Sequence, residues 1–296
     1  MKIALDPLIH SDLPMPQIPR MAAELGFDCL EMCSRDEFLP EYHPPRANKQ
    51  RIAEFRKALE DAKVQLVSML VTYRWSSPHD DEREAAVRYW KQAIQIAVEL
   101  GCQTVNSIFD RGPSPQRCGF QPGPDMAEDC ETAFWRSMDE LVPTFEREKL
   151  PLHLEAHPDD FVEDNTLAVD LIRALGSTMV KYLYCAPHTF HLGEDVSEMI
   201  RYAASVLAHV QVADSFNHKL GWRYVVNPPG STARIHQHLN IGEGEVDWDA
   251  FFGTLAEVGF DGIMTSQVFA YMPDKAVEST TFMRKTIQQY VDKYWR

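Results

Sequence analysis

Eight short apolar segments alternate with amphipathic segments along the chain, and this alternation constrains the fold more than any other feature of the sequence. Amphipathic spacing predicts helices, several of which end at a glycine, such as Gly26, Gly101 and Gly176. Because no hairpin turn joins consecutive apolar segments, they must be parallel strands with helical crossovers, and eight such units close a barrel. The apolar segments are residues 2–6, 27–32, 64–71, 103–110, 151–157, 180–186, 209–214 and 262–269. The sequence therefore predicts an α/β fold, a single (β/α)8 TIM barrel over residues 1–296.

A doubly wound open sheet is the alternative fold that the same alternation allows. Sheets of that kind typically bind a nucleotide at a glycine-rich turn after a strand. Neither a GxGxxG nor a GxxxxGK turn follows any apolar segment of this chain. The barrel is therefore the favoured fold.

The charge of the chain argues against nucleic acid and membrane partners. The formal net charge is −15, and no run of Lys and Arg compensates for it, so phosphate backbones and anionic lipids are repelled. No apolar run approaches the roughly 20 residues of a membrane span, and the first ten residues, MKIALDPLIH, lack the apolar stretch of a signal peptide. We expect a cytoplasmic protein that binds neither nucleic acid nor membranes.

The fifth apolar segment carries a polar stripe. In LHLEAH the alternation of side chains along a strand puts His153, Glu155 and His157 on one face. In a barrel the inward-facing side chains at the carboxyl end of a strand reach the mouth, where the active site lies. The plainer interpretation is that Glu155 and His157 pair with each other or that one of them faces solvent.

Further histidines and amides follow the neighbouring strands. Strand six runs into CAPHTFHLG, which places His188 and His191 on a loop beyond Pro187. This spacing suits one ligand and one acid or base, and the alternative is a loop packed by aromatic edges. Strand seven, HVQVAD, places His209 and Gln211 on one face, where a buried hydrogen-bond network is the alternative.

The segment RIHQHLNIGEGEVDW is the most specific of these motifs. It puts His236 and His238 on one side of an extended stretch and then turns on two glycines into a helix capped by Asp247. At the matching depth, strand eight offers Gln267 and strand two ends with Glu31.

A bound cation explains this collection of groups together. Charged and imidazole side chains are costly to gather in an apolar cavity unless something binds them, and a divalent metal offsets the carboxylate charge. Glu155 and the histidines are therefore predicted to share a metal. A mixed nitrogen and oxygen set favours Mn²⁺, Zn²⁺, Co²⁺ or Fe²⁺ over Mg²⁺.

These motifs resemble the xylose-isomerase-like barrels over the whole chain. Within them, RDEFLP, EAHPDDF, CAPHTFHLG, VNPPGS and HQHLNIGEGEVDWDAFF look closest to the IolH-like sugar phosphate isomerase/epimerase branch, to which the large subunits of C-glycoside deglycosidases are similar. The resemblance implies a strand-end metal site of Glu, Asp, His and Glu. Here Glu155 matches the first position, whereas His188, Gln211 and Gln267 stand where Asp, His and the last Glu are usual. His191 matches a histidine three residues after that Asp.

The resemblance implies a metal-dependent isomerase or lyase that abstracts a proton next to a carbonyl of a sugar, keto-sugar or cyclitol. The expected ligands are Glu155, His188, Gln211 and His238, with Mn²⁺ expected first. His157 is the first choice of base and His191 the second. With Gln267 in place of a glutamate, the second base of a two-base epimerase is missing, because an amide does not titrate.

Two alternatives accompany this hypothesis. One is a C-glycoside deglycosidase subunit that eliminates the aglycone from a 3-oxo-glucoside. The other is a sugar-binding subunit whose metal site has decayed, which Gln211 and Gln267 suggest. An endonuclease like those that share the HQHLNIGEG turn is disfavoured by the net charge of −15.

Other residues are expected to contact the substrate, and other chains to contact the protein. The predicted contacts with the sugar are Glu31, Trp222, Arg234, His236 and Gln267. Trp75 and Phe269 are candidates for apolar walls, with core packing as the alternative. The long segment 215–234 is expected to be a lid or an interface. The resemblance implies a homo-oligomer or a complex with a small second subunit.

Overall fold

A computed structural model of the chain describes residues 1–110, 112–114, 126–158, 160–193, 195–217 and 237–295, except for the side chain of His191. The described residues form eight parallel strands. They are β1 (Lys2–Leu5), β2 (Cys29–Met32), β3 (Gln65–Met69), β4 (Val105–Ile108), β5 (Leu152–Glu155), β6 (Val180–Cys185), β7 (Leu207–Val212) and β8 (Ile263–Ser266). The prediction of an α/β TIM barrel is confirmed, and the single domain over residues 1–296 stays a prediction.

The strands are ordered β3-β2-β1-β8-β7-β6-β5-β4. The two strands at the ends of that order meet through a parallel bridge between Leu70 and Asn106. There the Val71 N–H donates to the Asn106 carbonyl at 2.9 Å, and the Thr104 N–H donates to the Val67 carbonyl at 3.1 Å. The sheet therefore closes on itself, and every strand has a neighbour on both sides.

Helices connect the strands as the sequence spacing predicts. They are α1 (Ile18–Glu24), α2 (Lys49–Ala62), α3 (Asp80–Leu100), α4 (Ala127–Glu148), α5 (Asn165–Leu175), α6 (Ala186–Thr189), α7 (Val196–Ala203), α8 (Trp248–Glu257) and α9 (Ala276–Tyr294). Asn48, Asp164 and Asp247 cap α2, α5 and α8 by accepting a backbone N–H with a side-chain oxygen. None of the helices in the described part of the chain is long and apolar enough to cross a membrane.

The helix α6 differs from the sequence-based expectation of a loop after strand six. Pro187 lies in the first turn of this short helix, where its missing N–H costs nothing, rather than ending regular structure. His188 is therefore held on a helical turn, and residue 191 follows in a 3-10 turn, Phe190–Leu192.

Aromatic side chains fill the layer between the barrel and its outer helices. Trp75 is fully buried and stacks on Trp90 of α3 with ring centroids 4.5 Å apart. Its indole N–H donates to the Phe109 carbonyl at 3.0 Å. Trp75 is thus a core residue, the alternative that the sequence left open.

Gly262 gives a test of this packing. A Cβ at this position would lie 2.1 Å from the carbonyl oxygen of Ala208 on β7. We expect Gly262→Ala to lower the free energy of unfolding by about 1–3 kcal/mol, the usual cost of overpacking. The matched control is Gly253→Ala on α8, whose Cβ would meet Tyr294 at 3.4 Å and should be neutral or slightly stabilising. Urea denaturation of both variants checks the prediction, and equal midpoints would contradict it.

Candidate metal and active site

A cavity of about 300 Å³ opens at the carboxyl ends of the strands. This volume is at the lower end of small-molecule sites and suits a monosaccharide. Its carboxyl, imidazole and amide side chains come from the ends of β1, β5, β6 and β8 and from the segment after β2: Asp6, Glu41, Glu155, His157, His188 and Gln267. The mouth of the barrel therefore holds Glu155, His157, His188 and Gln267, which the strand-end argument selected.

Glu155, His188 and His238 form a contiguous chain of potential ligands. Glu155 Oε2 lies 3.0 Å from His188 Nδ1, and His188 Nε2 lies 3.3 Å from His238 Nε2. His238 Nδ1 lies 2.8 Å from the backbone carbonyl of Gln267. A donating Nδ1–H leaves the Nε2 of His238 unprotonated, which is the state of a metal ligand. Cys185 Sγ also lies within 4.8 Å of the ligand atoms of these two histidines.

The carboxylate of Glu155 is buried, and one of its two oxygens has no hydrogen-bond donor among the described residues. Its Oε2 is not in hydrogen-bond geometry with His188 and accepts no other hydrogen bond within the described part of the chain. Burial raises the pKa of Glu155 well above its usual value, and the neighbouring carboxylates of Glu31, Asp160 and Asp6 raise the pKa further. A cation beside this carboxylate would favour its ionised form.

Gln211 presents a second unsatisfied oxygen inside the barrel. Its Nε2 donates to Glu31 Oε1 at 2.8 Å, which turns the amide oxygen away from Glu31. That Oε1 has no hydrogen-bond partner among the residues described. An oriented, buried amide oxygen and a buried carboxylate oxygen, together with two imidazoles, fit the donor set of a divalent transition metal.

His157 lies beside these residues at the rim of the cavity. Its ring centroid is 4.5 Å from that of His188, and its Nδ1 lies 2.7 Å from the Pro158 carbonyl. If Nδ1 carries the proton that this carbonyl accepts, Nε2 is the unprotonated nitrogen of the ring, which is the form that can accept a proton. The geometry thus suits the role that the sequence suggested.

Glu31 lies below the cavity rather than on its surface. It is fully buried and accepts hydrogen bonds from Gln211 at 2.8 Å and from Thr265 at 2.9 Å, and His209 Nε2 lies 2.9 Å away. Burial alone would raise the pKa of Glu31, but His209 and these hydrogen bonds hold the pKa below its usual value. These contacts are those of a residue that orients Gln211, whereas the sequence suggested contact with the substrate.

The lower layer of the barrel also contains His153. The Nδ1 atoms of His153 and His209 lie 3.4 Å apart. Burial, followed by the neighbouring His209, lowers the pKa of His153 well below its usual value. His153 and Glu155 thus share the interior face that alternation predicts, but only Glu155 reaches the cavity.

Both polar atoms of the Gln267 side chain contact neighbouring residues. Its Nε2 donates to Asp6 Oδ2 at 3.2 Å, and its Oε1 lies 3.8 Å from Cys185 Sγ. Phe269 stacks on the His238 ring with centroids 4.1 Å apart and lines the cavity.

The predicted sites Trp222, Arg234 and His236 lie outside the described residues, as does the side chain of His191.

Asp6 is a residue of the cavity that the sequence argument missed. Burial and the charge of Glu31 raise the pKa of Asp6 to about 7. The signal was present in the sequence, because KIALD places an acid directly after the first strand, where the strand-end rule applies.

Asp214 organises the glycine turn of HQHLNIGEGEVDW. Its carboxylate accepts the N–H groups of Gly242 at 2.7 Å and Val246 at 3.1 Å, and the indole N–H of Trp248 at 2.9 Å. A Cβ at Gly244 would lie 2.4 Å from Asp214 Oδ1. Much of this motif therefore serves to fix the turn, and only His238 of its described residues contacts the candidate ligands.

Comparison with known proteins agrees with the fold. A model of the xylose isomerase-like TIM barrel family matches residues 19–286. The L-ribulose-5-phosphate 3-epimerase UlaE of Salmonella paratyphi C (strain RKS4594) is 22% identical, over 82% of this chain and 78% of that protein. The structure of 3-keto-D-glucoside 4-epimerase YcjR from E. coli superposes with a TM-score of 0.72 at 17% identity, over 96% of this chain and 99% of that one. The structure of the IOLI protein with a zinc atom superposes with a TM-score of 0.76 at 16% identity, over 99% of both chains. The chain belongs to the xylose isomerase-like TIM barrel family.

Proposed function

We propose that the protein is a metal-dependent enzyme that abstracts a proton next to a carbonyl of a sugar, keto-sugar or cyclitol, with isomerisation or epimerisation as the outcome. The observation that carries the proposal is the buried Glu155 Oε2, which accepts no hydrogen bond from the described residues and lies 3.0 Å from His188 Nδ1, in a cavity of sugar size. The family and the epimerase names of UlaE and YcjR support the same class of reaction.

The proposal assigns a role to each of the following residues of the candidate site. Glu155, His188, Gln211 and His238 would hold the metal, with Mn²⁺ expected first and Zn²⁺, Co²⁺ or Fe²⁺ as alternatives. A metal held there would supply Lewis-acid polarisation of a substrate oxygen, which lowers the pKa of the neighbouring C–H. His157 would take that proton on its unprotonated Nε2. Gln267 and Phe269, which line the cavity, would contact the sugar.

Several sequence-based assignments stay part of the proposal. His191 remains the second candidate for the base, and Trp222, Arg234 and His236 remain candidate contacts with the substrate. We also propose a cytoplasmic location, and a homo-oligomer or a complex with a small second subunit as the assembly.

The proposal is tested by solvent-deuterium incorporation into a panel of ketoses, inososes and 3-oxo-glycosides with Mn²⁺ present. Wild-type protein is expected to exchange a proton next to the carbonyl of at least one of them. His157→Gln should reduce this exchange by about 10²–10⁴-fold, the usual contribution of a general base. His79→Gln, at the start of α3 and outside the cavity lining, is the matched control. Exchange that survives His157→Gln unchanged would contradict the assignment of the base.

Two alternatives predict different products from the same screen. A deglycosidase related to the C-glycoside enzymes would release the aglycone from a 3-oxo-glucoside, a lyase reaction that begins with the same proton abstraction. This alternative is supported by the motif resemblance and by the fold shared with YcjR. A decayed sugar-binding subunit, suggested by Gln211 and Gln267, would bind a sugar and exchange no proton.

A further inference from the structure

Asp6 lies on the opposite side of the barrel mouth from Glu155 and His157. In the strand order, β1 is followed by β8, β7, β6 and then β5. Because the eight strands close a ring, β1 and β5 are four strands apart in either direction and therefore face each other. Asp6 follows β1, Glu155 ends β5, and both line the same cavity. A sugar bound in that cavity would have one group on each side.

The Asp6 carboxylate is held in one orientation. It is 2% exposed. Its Oδ1 accepts the Leu8 N–H at 2.9 Å, and its Oδ2 accepts from Gln267 Nε2 at 3.2 Å. None of the roles assigned above to the metal ligands or to His157 uses this carboxylate, although it is the kind of group that moves protons in enzymes.

The charged surroundings of Asp6 suit exchange of a proton near neutrality. The titratable groups that act on it are Glu31 on β2, Cys33 after β2 and Glu155 on β5. Burial and the charge of Glu31 place its pKa at about 7, whereas the N–H of Leu8 and the amide of Gln267 act in the opposite direction. A carboxyl group in this range can either accept or donate a proton at physiological pH.

We propose that Asp6 is a second catalytic residue, which exchanges a proton with the substrate carbon on the face opposite His157. This inference rests on the proposed function. The C–H bond on one face breaks, its proton goes to the imidazole of His157, and its electron pair remains in the enolate. A new C–H bond forms on the other face with the proton of the Asp6 carboxyl group. Solvent then removes the proton from His157 and returns one to Asp6, so no oxidant or reductant is consumed. The reverse reaction uses the same two groups in exchanged roles.

The Asp6→Asn variant separates the two half-reactions. With both epimers of a substrate that the wild-type protein exchanges in D₂O, the variant should exchange the epimer whose proton faces His157. The other epimer should lose exchange, and interconversion of the two should fall by about 100-fold or more. A merely structural role for Asp6 would instead reduce both exchange reactions together.

The outcomes that overturn the proposal are distinct. Interconversion by Asp6→Asn within about threefold of wild type, or equal loss of exchange for both epimers, would contradict it. Wild-type protein that exchanges no sugar proton would instead refute the proposed function itself. Asp12→Asn, an exposed acid in the same segment, is the matched control and should behave as wild type.

A second variant guards against misfolding. Asp6→Ala leaves space for a small carboxylate, and added formate should restore part of the interconversion in Asp6→Ala but not alter Asp12→Asn. Failure of formate to restore it, in a variant whose melting temperature and Mn²⁺ content match the wild type, would count against a proton-transfer role.

Discussion

The Glu155→Gln variant is expected to lose both bound divalent metal and turnover. Loss of an outer contact to a metal ligand typically costs 10–100-fold in affinity, so replacing the carboxylate itself should cost more than about 100-fold. Without Glu155 the remaining ligands proposed here, His188, Gln211 and His238, are all neutral donors. Metal analysis after dialysis against Mn²⁺ and the deuterium-exchange assay measure the two effects.

The same variant should be more stable than the wild-type protein when no metal is added. The folded-state pKa of Glu155 is raised above its unfolded value, so an ionised Glu155 destabilises the fold progressively as pH rises above the unfolded value of about 4.5. Glutamine removes that cost. We therefore expect metal-free Glu155→Gln to melt at a higher temperature than metal-free wild type at pH 8, with no further rise on adding Mn²⁺.

The control for this experiment is Glu54→Gln, an exposed acid on α2. It should match wild type in metal content and in melting temperature, both with and without Mn²⁺. Retention of metal by Glu155→Gln at wild-type affinity would contradict the site.

The Glu31→Ala variant is expected to destabilise the fold itself. A buried donor left without its acceptor typically costs about 1–3 kcal/mol, and Gln211, Thr265 and His209 would lose their common acceptor, so a total of about 3–5 kcal/mol is expected. For a chain of this size that loss lowers the melting temperature by roughly 6–20 °C. Metal affinity should also fall by about 10–100-fold, since the amide of Gln211 loses its anchor.

Glu24→Ala is the control variant, because Glu24 forms an exposed ion pair with Arg20 on α1. This substitution should change the free energy of unfolding by no more than about 0.5 kcal/mol.

The stabilisation by Glu31 depends on pH with a defined sign. The pKa of Glu31 is lowered in the fold, so its stabilisation is present above the unfolded value and is lost as pH falls through the folded value. An equal melting temperature for Glu31→Ala and Glu24→Ala would contradict the network.

The sequence predicted the parts of the molecule that depend on local periodicity. The alternation of apolar and amphipathic segments is a local property, so the order of strands and helices followed from it. The interior position of Glu155 followed from the two-residue period of a strand, and its depth followed from its position at the carboxyl end. These rules require no knowledge of which strands are neighbours.

The assignments that depended on register across the barrel were harder to make. Glu31 and Gln211 both point inward, but only the strand order reveals that they meet in the lower layer. Pro187 suggested the end of regular structure, although proline is also favoured in the first turn of a helix. The function of Gly244 became visible only when Asp214 was placed against it, because contacts between distant residues leave no periodic signal.

The division of the barrel interior into two polar layers bears on when the proposed metal would enter. Glu31 at the lower level is satisfied by side chains of the protein alone, whereas one oxygen of Glu155 and the amide oxygen of Gln211 have no hydrogen-bond partner in the described part of the chain. Glu31 therefore needs no ion inside the folded barrel, so the proposed metal would load onto the folded protein as a separate, reversible event. The amount of competent enzyme would then follow the free concentration of that ion, independently of how much folded chain is present.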